Sequence, residues 1–270
     1  MGSFVIFATR YQQPSSLPIS IGLLCCFITY LHEKNSPPNS ITQTISGLSY
    51  AHKIKNITDF THSFTVRQLL VSLHKQNPNV TDKRLPITED ILFKLLDNLG
   101  ILQIGNYEIV LFKAMMMLAF TFALRAGEMT HSRHNLELNQ IMITNDKLSV
   151  EFKSFKHSKN DPEVHDTPRS DKKYCVVQAM LEYLSLRGNL AGPLFKNKGK
   201  PISKHKFAEV LNQLCISCKL SSIRYTPHSL RIGSANHWLA LNYSDNQIMR
   251  MGRWRSNALL VYLRGVVTHH

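Results

Sequence analysis

Apolar and polar positions alternate along this chain mostly with a helical period, broken once by a stretch of period two. From about residue 15 to 83 the pattern predicts short helices with polar breaks. Leu17 to Tyr30 reads as a buried helix, too short for a comfortable membrane span and carrying Pro18. Ser36-Pro37-Pro38-Asn39-Ser40 is a break, with Ser40 placed to cap a helix through Ile41, Ile45 and Leu48. Phe64 to His74 is a further amphipathic run. The stretch from Val80 to Pro86 is polar, basic and closed by proline, so it reads as a linker, with a domain boundary near residue 84.

Beyond it, Thr88 with Glu89 and Asp90 opens a helix that ends near Gly100. Tyr107 to Met129 reads as one long helix, apolar all round and therefore in the core. Its C-terminal end carries Arg125, Glu128 and His131. The period then changes. Ile141 to Thr144 and Leu148 to Phe152 flank the turn dipeptide Asn145-Asp146, and a third strand is expected near Val164. Helices resume at Tyr174 to Leu186 and from Ser203 to about Lys219. Pro227 begins another in its first turn. Ser244 caps the next, which Gly252 terminates, and Ser256 caps a last one containing Tyr262. The predicted fold class is mainly α, with a small antiparallel three-stranded sheet inside the second domain, and two domains, 1–84 and 85–270.

Charge narrows the function. The 270 residues hold 32 Lys and Arg against 18 Asp and Glu, a net charge of +14. The excess is spread over folded-looking segments, which points to an anionic partner, nucleic acid first. Five cysteines without framework spacing argue for a reducing compartment. Cys215 and Cys218 form a lone C-x-x-C that reads as core. Thirteen histidines are scattered without an H-E-x-x-H. His131 and His134, three apart, read as surface or DNA-facing groups. Neither a metal nor another cofactor is expected.

Three segments carry candidate chemistry: Arg125-Ala126-Gly127-Glu128; Thr226-Pro227-His228-Ser229-Leu230-Arg231; and Gly252-Arg253-Trp254 running on to Tyr262. Each alone has a bland reading: an arginine at a helix end, a surface His–Arg pair, two aromatic core residues. Together, an R-x-x-E, an H-x-x-R and a W-x7-Y in this order resemble the tyrosine recombinase (phage-type integrase) family, and in character its eukaryotic Crypton and DIRS transposon members. The resemblance implies the DNA breaking-rejoining fold. Residues 1–84 would be a shortened helical, SAM-like core DNA-binding domain and 85–270 the catalytic domain. It also implies double-stranded DNA as partner, a homo-tetramer on paired sites, no membrane, and a nuclear location in a eukaryote.

The residue types fit that chemistry. A phosphodiester under attack spreads charge over its nonbridging oxygens, and an arginine fork matches them. Arg125 and Arg231 would be that pair, with Glu128 orienting the first. His228 lies three residues before Arg231, on the same helical face, as a general base or a further oxygen donor. Trp254 would hold a phosphate oxygen and pack the site. The resemblance makes Tyr262 the nucleophile, forming a 3′-phosphotyrosyl bond. It also assigns a lysine of the strand region to protonate the leaving 5′-oxygen. Lys153, Lys156 and Lys159 are candidates; Lys156 is preferred because Phe155-Lys156-His157-Ser158 resembles the family's stretch. Eight residues follow Tyr262, so an exchanged C-terminal helix is expected to be short or absent. A type IB topoisomerase and a DNA-binding protein without catalysis remain as alternatives.

Overall fold

A computed structural model describes residues 2–76, 83–153, 162–254, 259 and 262–263. The chain divides into two compact units, 1–82 and 83–270.

The first unit is helical throughout: α1 (Gly2–Arg10), α2 (Ile21–Glu33), α3 (Pro38–Ile54) and α4 (Phe64–Gln76). The sequence pattern did not anticipate α1. It is short, and its buried stripe is only Phe4, Phe7 and Ala8. Ring packing holds it: Phe4 meets Phe27 edge-on at 5.2 Å, and Phe7 lies 5.1 Å from Tyr30. Helix α2 starts at Ile21 rather than Leu17, because Pro18 precedes it and Ser20 is its cap, accepting from the Leu23 N–H. Helix α3 starts at Pro38, not at a Ser40 cap. Proline's fixed φ and missing N–H suit a first turn. Buried His52 is fully satisfied. Its Nε2 accepts from the Ile19 N–H at 3.1 Å, which leaves Nδ1–H to donate to the Leu48 carbonyl at 2.8 Å.

The second unit begins with a segment that the sequence suggested was linker. Instead Leu85 N–H donates to the Arg224 carbonyl, and Ile87 N–H to the Ser229 carbonyl, with Ile87 fully buried. The helices that follow are α5 (Glu89–Asp97), capped by Thr88, then α6 (Asn106–Thr121) and α7 (Ala126–Met129). Three antiparallel strands follow in the order β1 (Ile141–Ile143), β2 (Lys147–Phe152), β3 (Glu163–Pro168). Ile141 pairs with Val150, and Val150 with His165. Leu148, Val150 and Phe152 alternate into the core.

Next come α8 (Val176–Arg187), the hairpin β4 (Lys196–Asn197) and β5 (Lys200–Pro201), α9 (Lys204–Ser217), α10 (Pro227–Ala240) and α11 (Asp245–Met251). The hairpin was unanticipated. Lys198 and Gly199 both hold positive φ, as a two-residue hairpin turn needs. Cys215 and Cys218 are buried in the core, and burial pushes the Cys215 thiol up to about 11. At Gly233, α10 crosses directly on the 83–88 segment: a Cβ there would collide with the Ile87 carbonyl. Of the helix expected after Ser256, only Leu259, Tyr262 and Leu263 lie among the described residues. No helix among the described residues is long and apolar enough to cross a membrane.

Candidate active site

The site is organised by the end of α6. That helix does not run to Met129, as its apolar pattern suggested. It stops at Thr121, and Ala123 turns left-handed at φ 46°. Phe122 N–H returns to the Leu118 carbonyl, and Leu124 N–H to that of Ala119. This is the helix-ending turn in which glycine is usual. Here alanine, the best helix former, occupies the left-handed position, so no sequence signal marks the break.

Breaking the helix leaves carbonyls without intrahelical donors. Three side chains satisfy them: Ser234 Oγ donates to Phe120, Arg231 Nη1 to Ala123, and Arg253 Nη1 to Phe122 at 3.1 Å. Two guanidinium cations thus sit at the negative end of a buried helix, where its dipole favours them. Arg231 Nη2 also donates at 2.6 Å to the carbonyl of Gly252, which closes α11. Burial first, then the charges of Arg125 and Arg253, pushes the Arg231 guanidinium below its usual range, though it stays a cation at neutral pH.

Arg125 caps the short α7 rather than ending the long helix. Its N–H donates to Glu128 Oε2 at 2.8 Å and its Nη1 to Oε1 at 3.1 Å. Glu128, only 3% exposed, also receives Arg253 Nη2 at 2.9 Å. Burial would raise the Glu128 carboxyl. Arg253, the Arg125 N–H, and the Arg125 and Arg231 charges outweigh it and hold the group below the usual carboxylate range. Two guanidinium groups therefore face one carboxylate, and with Arg231 nearby the three cations leave a local excess of positive charge.

On the other side lie three rings. His228 in the first turn of α10 and Trp254 after α11 each have ring centroids 5.1 Å from that of Tyr262. The Arg231 guanidinium carbon lies 4.3 Å from the Trp254 ring centre and 5.9 Å from that of Tyr262. Asn236 Nδ2 donates to the Tyr262 carbonyl at 3.1 Å. Gly252 does not end α11 by a left-handed turn, as expected; its φ is −84°, and Arg253 takes the left-handed conformation at 55°. Gly252 is needed for space, because a Cβ there would lie within the Trp254 ring. Among the described residues, the buried N–H donors Arg231 Nε, Arg253 Nε and Trp254 Nε1 meet no acceptor.

Six sequence candidates thus converge: Arg125, Glu128, His228, Arg231, Trp254 and Tyr262. Lys156 and Lys159 lie outside the described residues. Lys153, just past β2, is half-exposed and pairs with Glu151 at 3.5 Å.

The phage integrase family model matches residues 88–262, from the cap of α5 to Tyr262. The chain belongs to the phage integrase family, the tyrosine recombinases. No curated protein sequence matches this integrase-family chain significantly. Solved structures share its fold. The XerH site-specific recombinase, bound to a palindromic difH substrate after cleavage, aligns with a TM-score of 0.65 at 13% identity, over 96% of this chain and 72% of its own. The Tn1549 transposon integrase, in complex with transposon right end DNA, gives 0.65 at 12% identity, over 98% and 86%. A lambda integrase dimer on a COC′ core site gives 0.61 at 16%, over 96% and 69%.

In this integrase-family chain, sequence reasoning missed Arg253. The residue stood in the quoted Gly-Arg-Trp segment, but nothing local marks it as buried. Its left-handed backbone costs roughly 1 kcal/mol for a side chain with a Cβ, and buried partners on three segments offset that cost.

Proposed function

We propose that this chain breaks and rejoins DNA at specific sites through a covalent 3′-phosphotyrosyl bond at Tyr262. One observation carries the reading: two separate segments, α10 and the stretch after α11, bring His228 and Arg231 against Trp254 and Tyr262, beside an excess of buried positive charge. A phosphodiester is an anion of the kind that this excess and the unmet Arg231 Nε–H and Trp254 Nε1–H donors would bind. Arg125 and Arg231 hold the nonbridging oxygens, with Trp254 Nε1–H as a further donor. His228 takes the Tyr262 hydroxyl proton as the phenolic oxygen bonds to phosphorus and the bond to the 5′-oxygen breaks. A lysine between residues 153 and 159, Lys156 by preference, protonates that oxygen. The ester keeps the bond energy, so resealing reverses the same steps without ATP or metal.

Residues 1–84 act as the helical core-binding domain and 85–270 as the catalytic domain. Double-stranded DNA at paired sites is the substrate, with a homo-tetramer as the assembly. Origin in a mobile element, and action in the nucleus where the host is a eukaryote, complete the reading, on the strength of the Crypton- and DIRS-like sequence character.

The test is a pool of nicked duplexes with randomised cores, which trap the covalent step by releasing a short strand. Wild type should give a protein–DNA adduct whose mass maps to the Tyr262 peptide. Tyr262→Phe should give none. Removing either Arg125 or Arg231 should raise the barrier by at least about 3 kcal/mol. The assignment falls if wild type forms no adduct on the pool, or if Tyr262→Phe still forms one. Relaxation of supercoiled DNA without joining of two duplexes would favour a topoisomerase instead.

A further inference from the structure

We infer that Arg253 is a positioning residue for the strand-cleavage step, holding Arg125 in place through Glu128 while tying the tryptophan–tyrosine segment and the end of β2 to the same point. The inference rests on the function proposed above.

Arg253 is 4% exposed, and its guanidinium touches three segments at once. Nη1 donates to the Phe122 carbonyl at 3.1 Å, in the turn that leads to Arg125. Nη2 donates to Glu128 Oε2 at 2.9 Å. The guanidinium carbon stands 3.7 Å from the centre of the Phe152 ring, the last residue of β2, from which the candidate lysines follow. Its own backbone precedes Trp254 directly. Arg125 in return sends Nη2 toward the Arg253 carbonyl at 3.5 Å. Glu128 alone would fix the Arg125 fork only from within its own short helix. With Arg253 on its second face, the carboxylate cannot rotate away, and the Arg125 fork keeps one direction. A fork with two separated donors is required. A lysine could reach Glu128 or Phe122 but not both. The Arg253 guanidinium is already engaged by Glu128, a carbonyl and a ring, so it acts through Arg125 rather than on the phosphate.

The experiment compares two nicked substrates in the full chain. One carries an ordinary scissile phosphodiester. In the other a nonbridging oxygen is replaced by methyl, which removes the negative charge that Arg125 would stabilise. A misplaced Arg125 should matter on the first and little on the second. A loss of folded protein would lower both rates equally. For Arg253→Met we expect adduct formation to fall roughly 100-fold on the phosphodiester, the effect of a catalytic group displaced by about 1 Å. On the methylphosphonate the loss should be under about tenfold, with affinity for the nicked duplex unchanged. Arg253→Lys keeps the buried charge and guards against a variant that does not fold; it should show the same substrate dependence with a smaller loss. Equal losses on the two substrates, or none, overturn the inference while wild-type adduct formation keeps the proposed function. Absence of the wild-type adduct takes down both.

Discussion

On one side of Arg231 three rings, His228, Trp254 and Tyr262, meet by packing; on the other, Glu128 is shared by Arg125 and Arg253 through charge-assisted hydrogen bonds. The difference lies in what each side tolerates. Ring contacts depend on shape rather than on a counter-charge, so a ring of equal shape preserves them. The ionic side is all or nothing. A buried carboxylate facing two guanidinium groups is balanced only while every partner is present, and deleting one leaves charge in a medium that cannot solvate it. The substitution that should break chemistry is therefore on the tolerant side, and the one that should break the fold is on the other.

The largest effect on stability should come from Glu128→Leu. It leaves Arg125 and Arg253 without their counter-charge and should cost about 3–5 kcal/mol in urea unfolding. A loss below about 1 kcal/mol would erase the contrast between the two sides. Next is Gly252→Ala, where the added methyl meets the Trp254 ring. Overpacking of this kind costs about 1–3 kcal/mol, and a shift in tryptophan emission should accompany it.

A pH series then sharpens the ionic side. The folded Glu128 carboxyl is held below its unfolded value of about 4.3. Its stabilisation is therefore complete above that pH and is lost as pH falls through the lower folded value. The stability gap between wild type and Glu128→Gln should be widest near neutrality and narrow below about pH 4. A gap that stays constant would mean that the charge of Glu128 contributes nothing. Smallest is Tyr262→Phe, expected to change stability by less than about 0.5 kcal/mol while abolishing the adduct. A larger loss would mean that the hydroxyl has a structural partner.

Legibility in the sequence followed the range of the interaction. The caps at Thr88, Ser203 and Ser244 each act within three residues, and each accepts the N–H that its spacing predicts. The strand pattern around Asn145-Asp146 likewise has a local cause. Helix α1 escaped because its apolar residues, Phe4 to Ala8, form one short unbroken run, which carries no helical period. The break at Ala123 escaped because the left-handed turn is held from outside: the Arg231 and Arg253 side chains that occupy its carbonyls arrive more than 100 residues later.

By itself, then, the sequence determined the mainly helical class with its three-stranded sheet, the surplus of positive charge, and the residue types that mark a tyrosine recombinase. Those depend on period, composition and spacing, which are local or additive properties. Tertiary structure alone decided that Arg125 caps a new short helix, that Gly252 makes room for a ring, and that Arg253 is buried between Glu128, Phe122 and Phe152. Each of those follows from long-range packing. A guanidinium enters a low-dielectric interior only where several distant groups converge to satisfy it, and no window of sequence contains them all.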